Sequence, residues 1–138
     1  MDFWIKIWMA VNIFFYRLTG GLLGGRMGGQ NVLLLHTVGR KSGARRITPV
    51  NYFRDGENYL LVGSNWGKPV QPAWYFNLLQ QPVARIQVKR HTFQVRARLA
   101  DEGEYARLWG YVTGLNPFYA RYQAQTKRQI PIVILTII

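Results

Sequence analysis

Turn residues divide the chain into six short runs of strand-forming residues, and this spacing restricts the fold more than any other feature. Two of the runs flank Asp55-Gly56, a dipeptide typical of a β-hairpin. Between Phe93 and Leu99 apolar and polar side chains alternate, as expected for a strand with one buried face. The runs span residues 31–38, 45–53, 59–64, 84–88, 93–99 and 130–136.

These runs favour an antiparallel barrel over a parallel sheet. The regular alternation of strands and helices that a parallel sheet requires is missing from the sequence. Antiparallel strands in this number usually close into a barrel, because closure removes open sheet edges. The length of 138 residues fits one domain, so residues 1–138 are predicted to form a single unit.

Helical patterns interrupt this series of strands. One helix is predicted over residues 72–80, and another begins at the capping-box pair Asp101 and Glu104. A short helix is predicted over residues 117–125, and the glycine-rich residues 20–29 are predicted to form a turn or loop.

The N-terminal residues 1–20 form a candidate amphipathic helix, predicted over residues 3–18. The apolar part is shorter than the roughly 20 residues that cross a bilayer, and it lacks a signal-peptide cleavage site. Either the helix packs on the barrel or on a second subunit, or it lies at a membrane surface, where Trp4, Trp8 and Lys6 suit the headgroup region. The protein is accordingly expected in the cytoplasm as a monomer or homodimer, peripheral to the inner face of the membrane in the second case.

The chain is strongly basic, with 18 Lys and Arg residues against six acids and a net charge of +12. Such a charge attracts an anion, which could be a nucleic acid, an anionic lipid or a polyanionic cofactor. Cysteine is absent, which excludes disulfides and thiolate metal sites. His36 and His91 lie far apart in sequence, so no metal site is predicted.

The most informative motif is Gly39-Arg40-Lys41-Ser42-Gly43, which joins two predicted strands and is followed by Arg46. Its glycines permit a tight turn in which backbone N–H groups can converge on an anion. The Ser42 hydroxyl adds a donor, and Arg40, Lys41 and Arg46 add charge suited to phosphate. A solvated basic turn without a ligand is the alternative interpretation.

Two further positions indicate where a flat ring could bind. Pro49 lies within a predicted strand, which places it at an edge or bulge that a ring could approach. Trp74, near the start of a predicted helix, packs in the core or lines such a pocket.

Taken together, the motifs resemble the deazaflavin-dependent nitroreductase family of coenzyme F420-dependent enzymes. The resemblance extends from residue 16 to residue 131, nearly the whole chain. The matching segments are Tyr16-Arg17-Leu18-Thr19-Gly20-Gly21, Gly39-Arg40-Lys41-Ser42-Gly43, Arg46-Ile47-Thr48-Pro49-Val50, Asp55-Gly56, Pro72-Ala73-Trp74-Tyr75-Phe76-Asn77-Leu78, and Tyr122-Gln123 with Thr126, Arg128, Ile130 and Pro131.

The resemblance implies an α+β fold, a split β-barrel of the FMN-binding type. About six mainly antiparallel strands would be joined by the N-terminal helix and two or three further helices. It also implies that coenzyme F420 is the cofactor and that the cofactor phosphate binds the basic loop. The implied cofactor-binding residues are Arg40, Lys41, Ser42, Gly43, Arg46, Pro49, Val50, Val62, Gly63, Ser64, Trp74 and Tyr75.

The implied reaction is transfer of a hydride from reduced F420 to a planar, electron-poor acceptor. The acceptor could be a quinone, an enone or a nitroaromatic, and a membrane quinone if the N-terminal helix contacts lipid. Candidate catalytic donors to the acceptor oxygen are Ser64, Tyr119 and Tyr122. Asn51, Asn65 and Asn116 depart from the best-known nitroreductase branch, so reduction of nitro prodrugs is not carried over.

Two other functions remain open at this point. The same barrel could bind FMN and act as a flavin-dependent oxidoreductase. The chain could also be a non-enzymatic basic module that binds nucleic acid or anionic lipid, since Arg85, Lys89, Arg90, Arg96 and Arg98 form a second basic patch on a predicted strand pair.

Overall fold

The computed structural model describes residues 6–11, 13, 26–27 and 30–138. Six antiparallel strands, β2 to β7, close into a barrel in the order β2-β3-β4-β7-β6-β5, and β5 pairs with β2. A two-residue strand, β1, pairs with the beginning of β2. The strands are β1 Arg26–Met27, β2 Gln30–Val38, β3 Arg45–Asp55, β4 Asn58–Val62, β5 Val83–Val88, β6 His91–Leu99 and β7 Ile132–Ile137.

Besides the helical residues 6–11 and 13, three α-helices accompany the barrel in the described residues. They are α1 Ala73–Gln80, α2 Glu102–Leu115 and α3 Phe118–Ala124, and a single 3-10 turn, Asn65–Gly67, precedes α1. Asp101 and Glu104 form the predicted capping box at the start of α2. The predicted α+β split barrel with two or three further helices is therefore confirmed.

The structure describes only part of the N-terminal segment for which a helix is predicted. Residues 6–11 and 13 are helical, and the remainder of the predicted helix and of the Tyr16–Gly21 motif lies outside the described residues. Within the predicted 20–29 loop, Arg26 and Met27 form β1, so the loop prediction is wrong for these two residues because they pair with Asn31 and Gln30. In the part of the chain that the structure describes, no helix is long and apolar enough to cross a membrane.

The barrel is split along the first half of β3. Residues 45–51 of β3 pair with β2, but the ladder between β3 and β4 begins only at Tyr52 opposite Leu61. Within the described residues, one edge of this half-strand is therefore free of a neighbouring strand. Pro49 lies in it, in agreement with the expectation that a proline without an N–H group occupies a strand edge.

The core lies on both faces of β4 and β7. Leu61, Val133 and Leu135 point into the barrel interior, whereas Leu60 and Ile134 belong to a second cluster that Leu108, Val112 and Tyr119 of α2 and α3 cover. Alternate strand residues point to opposite faces, so both sets are buried only where helices cover the outside. α2 and α3 therefore cover the outer face of the barrel next to the split.

Candidate cofactor-binding site

The basic loop 39–43 folds as a tight turn between β2 and β3. Gly39 N–H donates to the carbonyl oxygen of Ala44 at 2.8 Å, and Gly43 N–H donates to that of Gly39 at 2.8 Å. Gly43 adopts a φ of +70°, a conformation that favours glycine. At Gly39 a Cβ atom would lie 2.8 Å from Ser42 Oγ, closer than a side chain tolerates. The turn therefore favours glycine at position 43, and a side chain at position 39 would displace the Ser42 hydroxyl.

Asn77 of α1 anchors the loop to the helix. Its Oδ1 atom accepts a hydrogen bond from the backbone N–H of Arg40 at 3.0 Å. Its Nδ2 group donates to Thr37 Oγ1 on β2 at 3.3 Å. The side chain is 6% exposed, so these contacts are sheltered from water. One buried amide thus fixes the loop, the strand before it and the helix relative to each other.

Much of the loop's backbone hydrogen-bonding capacity is used within the protein. The N–H groups of Gly39, Arg40, Gly43 and Ala44 all have protein acceptors. In the described hydrogen bonds this leaves the amides of Lys41 and Ser42 for an anion. The convergence of backbone N–H groups expected from the sequence is therefore limited to a pair, and side chains must supply the rest.

The side chains of the loop leave their charge available. The Arg40 guanidinium stacks on the Phe76 ring at 4.4 Å, which leaves its N–H edge free. Ser42 Oγ accepts from Ala44 N–H at 3.1 Å and from Arg46 Nη2 at 3.5 Å, so its hydroxyl proton can still be donated. The two salt bridges among the described residues join other side chains, not Arg40, Lys41 or Arg46.

These groups surround an open cleft of about 430 Å³ between the loop, β3 and the start of α1. Trp74 is 8% exposed, packs against the barrel core and also lines the cleft, so both interpretations of this residue apply. The lining consists of Gly39, Arg40, Lys41, Ser42, Arg46, Thr48, Ala73, Trp74 and Asn77.

The free edge of β3 leads away from this cleft. Five residue steps separate Arg46 from Asn51, which corresponds to about 17 Å of extended strand. Thr48 lines the cleft, and Pro49 follows on the same free half of β3. The geometry suits an elongated ligand with an anionic group at one end and a flat group further along.

Tyr119 and Tyr122 of α3 lie at the far end of this edge. Burial raises the pKa of Tyr119, against a smaller lowering by the nearby Asn51 side chain, so Tyr119 stays protonated near neutral pH. The Tyr119 ring makes edge contacts with Tyr122 at 6.1 Å and with Phe53 at 5.8 Å. Tyr119 is 5% exposed, so the residue is almost fully buried.

Some of the predicted residues lie elsewhere. The side chains of Val50 and Val62 belong to the two core clusters, so only their backbone is near the split. Tyr75 lines a separate cavity of about 20 Å³ with Leu79 and Leu99. Gly63 and Ser64 follow β4 in the connection to α1, residues 63–72.

Four of the cleft residues were not predicted as site residues: Gly39, Thr48, Ala73 and Asn77. For Asn77 a signal was present, because helical spacing places residue 77 on the same face as Trp74. The role of Gly39 and Thr48 depends on how the strands approach α1, which the sequence does not show.

Comparison with known proteins accounts for this arrangement. A profile of the F420H(2)-dependent quinone reductase family matches residues 8–137. The chain belongs to this family. The reductase is 43% identical to an F420H(2)-dependent quinone reductase of Mycobacterium tuberculosis over 125 residues, which cover 88% of the chain and 84% of that relative. Its cofactor is coenzyme F420, and its acceptor is of the quinone type.

Two solved structures resemble the reductase over most of its length. An F420-H2-dependent reductase superimposes with a TM-score of 0.68 and 32% identity, covering 75% of the chain and 92% of that structure. A domain-swapped dimer superimposes with a TM-score of 0.72 and 28% identity, covering 96% of each chain. These comparisons confirm the predicted cofactor and enzyme class. They favour coenzyme F420 over FMN as the cofactor, and an enzyme over a non-enzymatic binding module.

Proposed function

We propose that the reductase binds the phosphate of F420 in the cleft beside loop 39–43 and places the deazaflavin ring along the free edge of β3. The observation that carries this proposal concerns the described residues alone. Among them Arg40, Lys41 and Arg46 form no salt bridge, and they lie at one end of a strand edge that pairs with no other strand. When bound, reduced F420 supplies a hydride to the acceptor. The protein contributes binding and orientation.

At the phosphate end, the side chains carry most of the binding. Arg40 and Arg46 offer guanidinium N–H groups, and Lys41 adds a further positive charge. The Ser42 hydroxyl and the amides of Lys41 and Ser42 complete the set of donors. Since Asn77 holds the backbone of Arg40, this set is arranged before the ligand arrives.

At the ring end, the strand edges position the flat group. Pro49 and the backbone of Val50 lie on one side of the split, and Val62, Gly63 and Ser64 lie on the other. Of the three candidate catalytic donors we favour Tyr119, because burial raises its pKa and it interacts with Asn51 on the free half of β3. Ser64 and Tyr122 are the alternatives. A quinone can also take its proton from water, so the donor assists but is not indispensable.

Isothermal titration tests the cofactor site. The reductase is expected to bind F420 more tightly than FMN, and the double variant Arg40→Ala/Lys41→Ala is expected to weaken F420 binding about a hundredfold. The matched control is Arg90→Ala/Arg96→Ala, which removes the same charge from exposed residues outside the cleft. Equal affinity for both cofactors, or equal weakening by both pairs, would contradict the proposal.

We further propose that the N-terminal helix rests on the inner face of the cell membrane, where a membrane quinone becomes the acceptor. The described helical residues include the exposed apolar side chains Ile7, Trp8 and Val11. An apolar helix face beside a basic protein suits an anionic lipid surface. Sedimentation with anionic vesicles is expected to deplete the wild type more than Ile7→Ser/Val11→Ser, while Val70→Ser behaves as wild type. Equal sedimentation of all three proteins would refute this placement.

The oligomeric state is proposed from the likeness to the domain-swapped dimer, which covers 96% of the chain. We propose that residues 1–138 act as one unit that pairs with a second copy. Sedimentation velocity is expected to give twice the mass of the 16.0 kDa chain. A monomer at all protein concentrations would rule the dimer out.

A further inference from the structure

The connection between β4 and α1, residues 63–72, has a strained backbone that its own hydrogen bonds hold only in part. Gly67 N–H donates to the carbonyl oxygen of Ser64 at 2.9 Å, and Asn65 Nδ2 donates to that of Val70 at 2.9 Å. Asn65 and Trp66 adopt φ values of 46° and 63°, in the left-handed region that costs free energy for residues with a side chain. Trp66 is 68% exposed, so burial of its ring does not offset this cost. Such a conformation persists only where surrounding contacts impose it.

Four further hydrogen bonds to the connection come from Arg128, which lies between α3 and β7. Its Nη1 group donates to the carbonyl oxygen of Gly63 at 3.0 Å and to Gln71 Oε1 at 2.7 Å. Its Nη2 group donates to the carbonyl oxygen of Ser64 at 2.7 Å. Its Nε group donates to the carbonyl oxygen of Lys68 at 2.9 Å. One guanidinium therefore bonds the beginning, the middle and the end of the connection.

All four acceptors are neutral oxygens, and three of them belong to the backbone. A guanidinium with a fixed planar fork can satisfy several carbonyl groups at set angles, which an ammonium group cannot do. The contacts are therefore directional, and they determine where the carbonyl groups of Gly63 and Ser64 point. These two residues border the split at the end of β4.

The phosphate end of the cleft has a separate anchor. Asn77 fixes the backbone of Arg40 to α1, and Trp74 and Leu78 hold α1 on the barrel core. Loss of Arg128 would accordingly loosen the wall of the split at residues 63–71 and leave the phosphate end in place. The two halves of the site can then be separated by experiment.

We propose that Arg128 is a positioning residue for the acceptor half of the site. It holds the strained connection, and with it Gly63 and Ser64, at the distance from the free edge of β3 at which a planar acceptor fits. This inference rests on the proposed function, because it uses the ring position proposed above. Arg128 itself need not touch the cofactor or the acceptor.

The test compares Arg128→Lys with Arg121→Lys, a neighbouring arginine of α3 whose recorded contact is with the Phe118 ring. In the absence of cofactor, hydrogen exchange is measured at the amides of Gly67 and Lys68, which donate to Ser64 and Asn65 within the connection. Arg128→Lys is expected to speed exchange there at least about tenfold, while amides of the barrel strands keep their rates. Arg121→Lys is expected to leave all of them unchanged.

Kinetics then separate positioning from general stability. For Arg128→Lys the kcat/KM for a quinone is expected to fall about a hundredfold, while the Kd for F420 changes less than about threefold. In Arg128→Ala, millimolar guanidinium is expected to restore part of the lost kcat/KM, and it should have no effect on Arg121→Ala.

The outcomes distinguish a failure of the positioning role of Arg128 from a failure of the proposed function. Unchanged exchange at Gly67 and Lys68, or faster exchange with unchanged kcat/KM, would overturn the positioning role. Equal loss of F420 binding and quinone turnover would also overturn it, because the role would then be structural. A wild-type protein that fails to bind F420 would instead overturn the proposed function and this inference with it.

Discussion

The side chain of Asn77 accepts a hydrogen bond of 3.0 Å from the backbone N–H of Arg40, and this contact joins α1 to the basic loop. The donor lies on the loop that carries the cations, and the acceptor is buried beside Thr37. The loop is therefore held in place by the Asn77 side chain as well as by the hydrogen bonds of its own turn. Substitutions at Asn77 should reveal how far cofactor binding depends on this preorganisation.

Asn77→Asp keeps an acceptor for Arg40 but introduces a negative charge into the cleft. F420 affinity is expected to fall about tenfold or more, because the carboxylate repels the cofactor phosphate. Asn58→Asp makes the same change in the β3–β4 hairpin, away from the cleft, and is expected to bind F420 as the wild type does. Titration of both variants at two salt concentrations checks this. A loss that does not diminish with salt would speak against repulsion as the cause.

Tyr119→Phe removes the hydroxyl that we propose donates to the acceptor oxygen. The kcat for a quinone is expected to fall about tenfold, the effect of losing one hydrogen bond to the acceptor oxygen, with F420 affinity unchanged. Tyr111→Phe is the control, because the Tyr111 hydroxyl donates to the carbonyl oxygen of Arg54 away from the site. Stopped-flow oxidation of F420H2 provides the rates. Equal rates for Tyr119→Phe and the wild type would assign Tyr119 to the core alone.

The barrel could be predicted from the sequence because each strand carries its own signal. The run from residue 31 to 38, the hairpin at Asp55-Gly56 and the alternation in β6 depend on neighbouring residues, and all three match the structure. The capping box at Asp101 is equally local. The loop cations could be identified for the same reason.

Contacts between distant segments could not be predicted in this way. The partners of Arg128 lie 57 to 65 residues away in sequence, and those of Asn77 lie 37 and 40 residues away. Nothing in the neighbouring residues indicates which carbonyl groups these side chains will meet. The strand β1 was missed for a related reason, because a two-residue strand is defined by its partner rather than by its own composition.

Asp101→Ala removes half of the capping box of α2. Asp101 Oδ1 accepts from Glu104 N–H at 2.9 Å, so its loss should lower the free energy of unfolding by about 1 kcal/mol. This corresponds to a fall in Tm of about 4 °C. Glu102→Ala removes the same charge from the same turn without a cap and should cost less. Calorimetry of both variants separates the contribution of the capping hydrogen bond from that of a negative charge near the helix N-terminus. Equal losses of stability would mean that the charge, and not the hydrogen bond, accounts for the effect.

Tyr105 makes the stability of the folded protein depend on pH in the alkaline range. Its hydroxyl donates to the carbonyl oxygen of Ile130 at 2.5 Å, and burial raises the pKa of Tyr105 to about 12. The unfolded chain releases this proton near pH 10, so the stabilisation is complete below that value and is lost as the pH rises toward about 12. At pH 8, Tyr105→Phe should be less stable than the wild type by about 1 kcal/mol, the contribution of one hydrogen bond. As the pH rises above 10 the difference should narrow, by less than the full pKa shift implies because the side chain is half exposed. Urea unfolding of both proteins across this range measures the difference, and a constant gap would mean that Tyr105 titrates alike in the folded and unfolded chain.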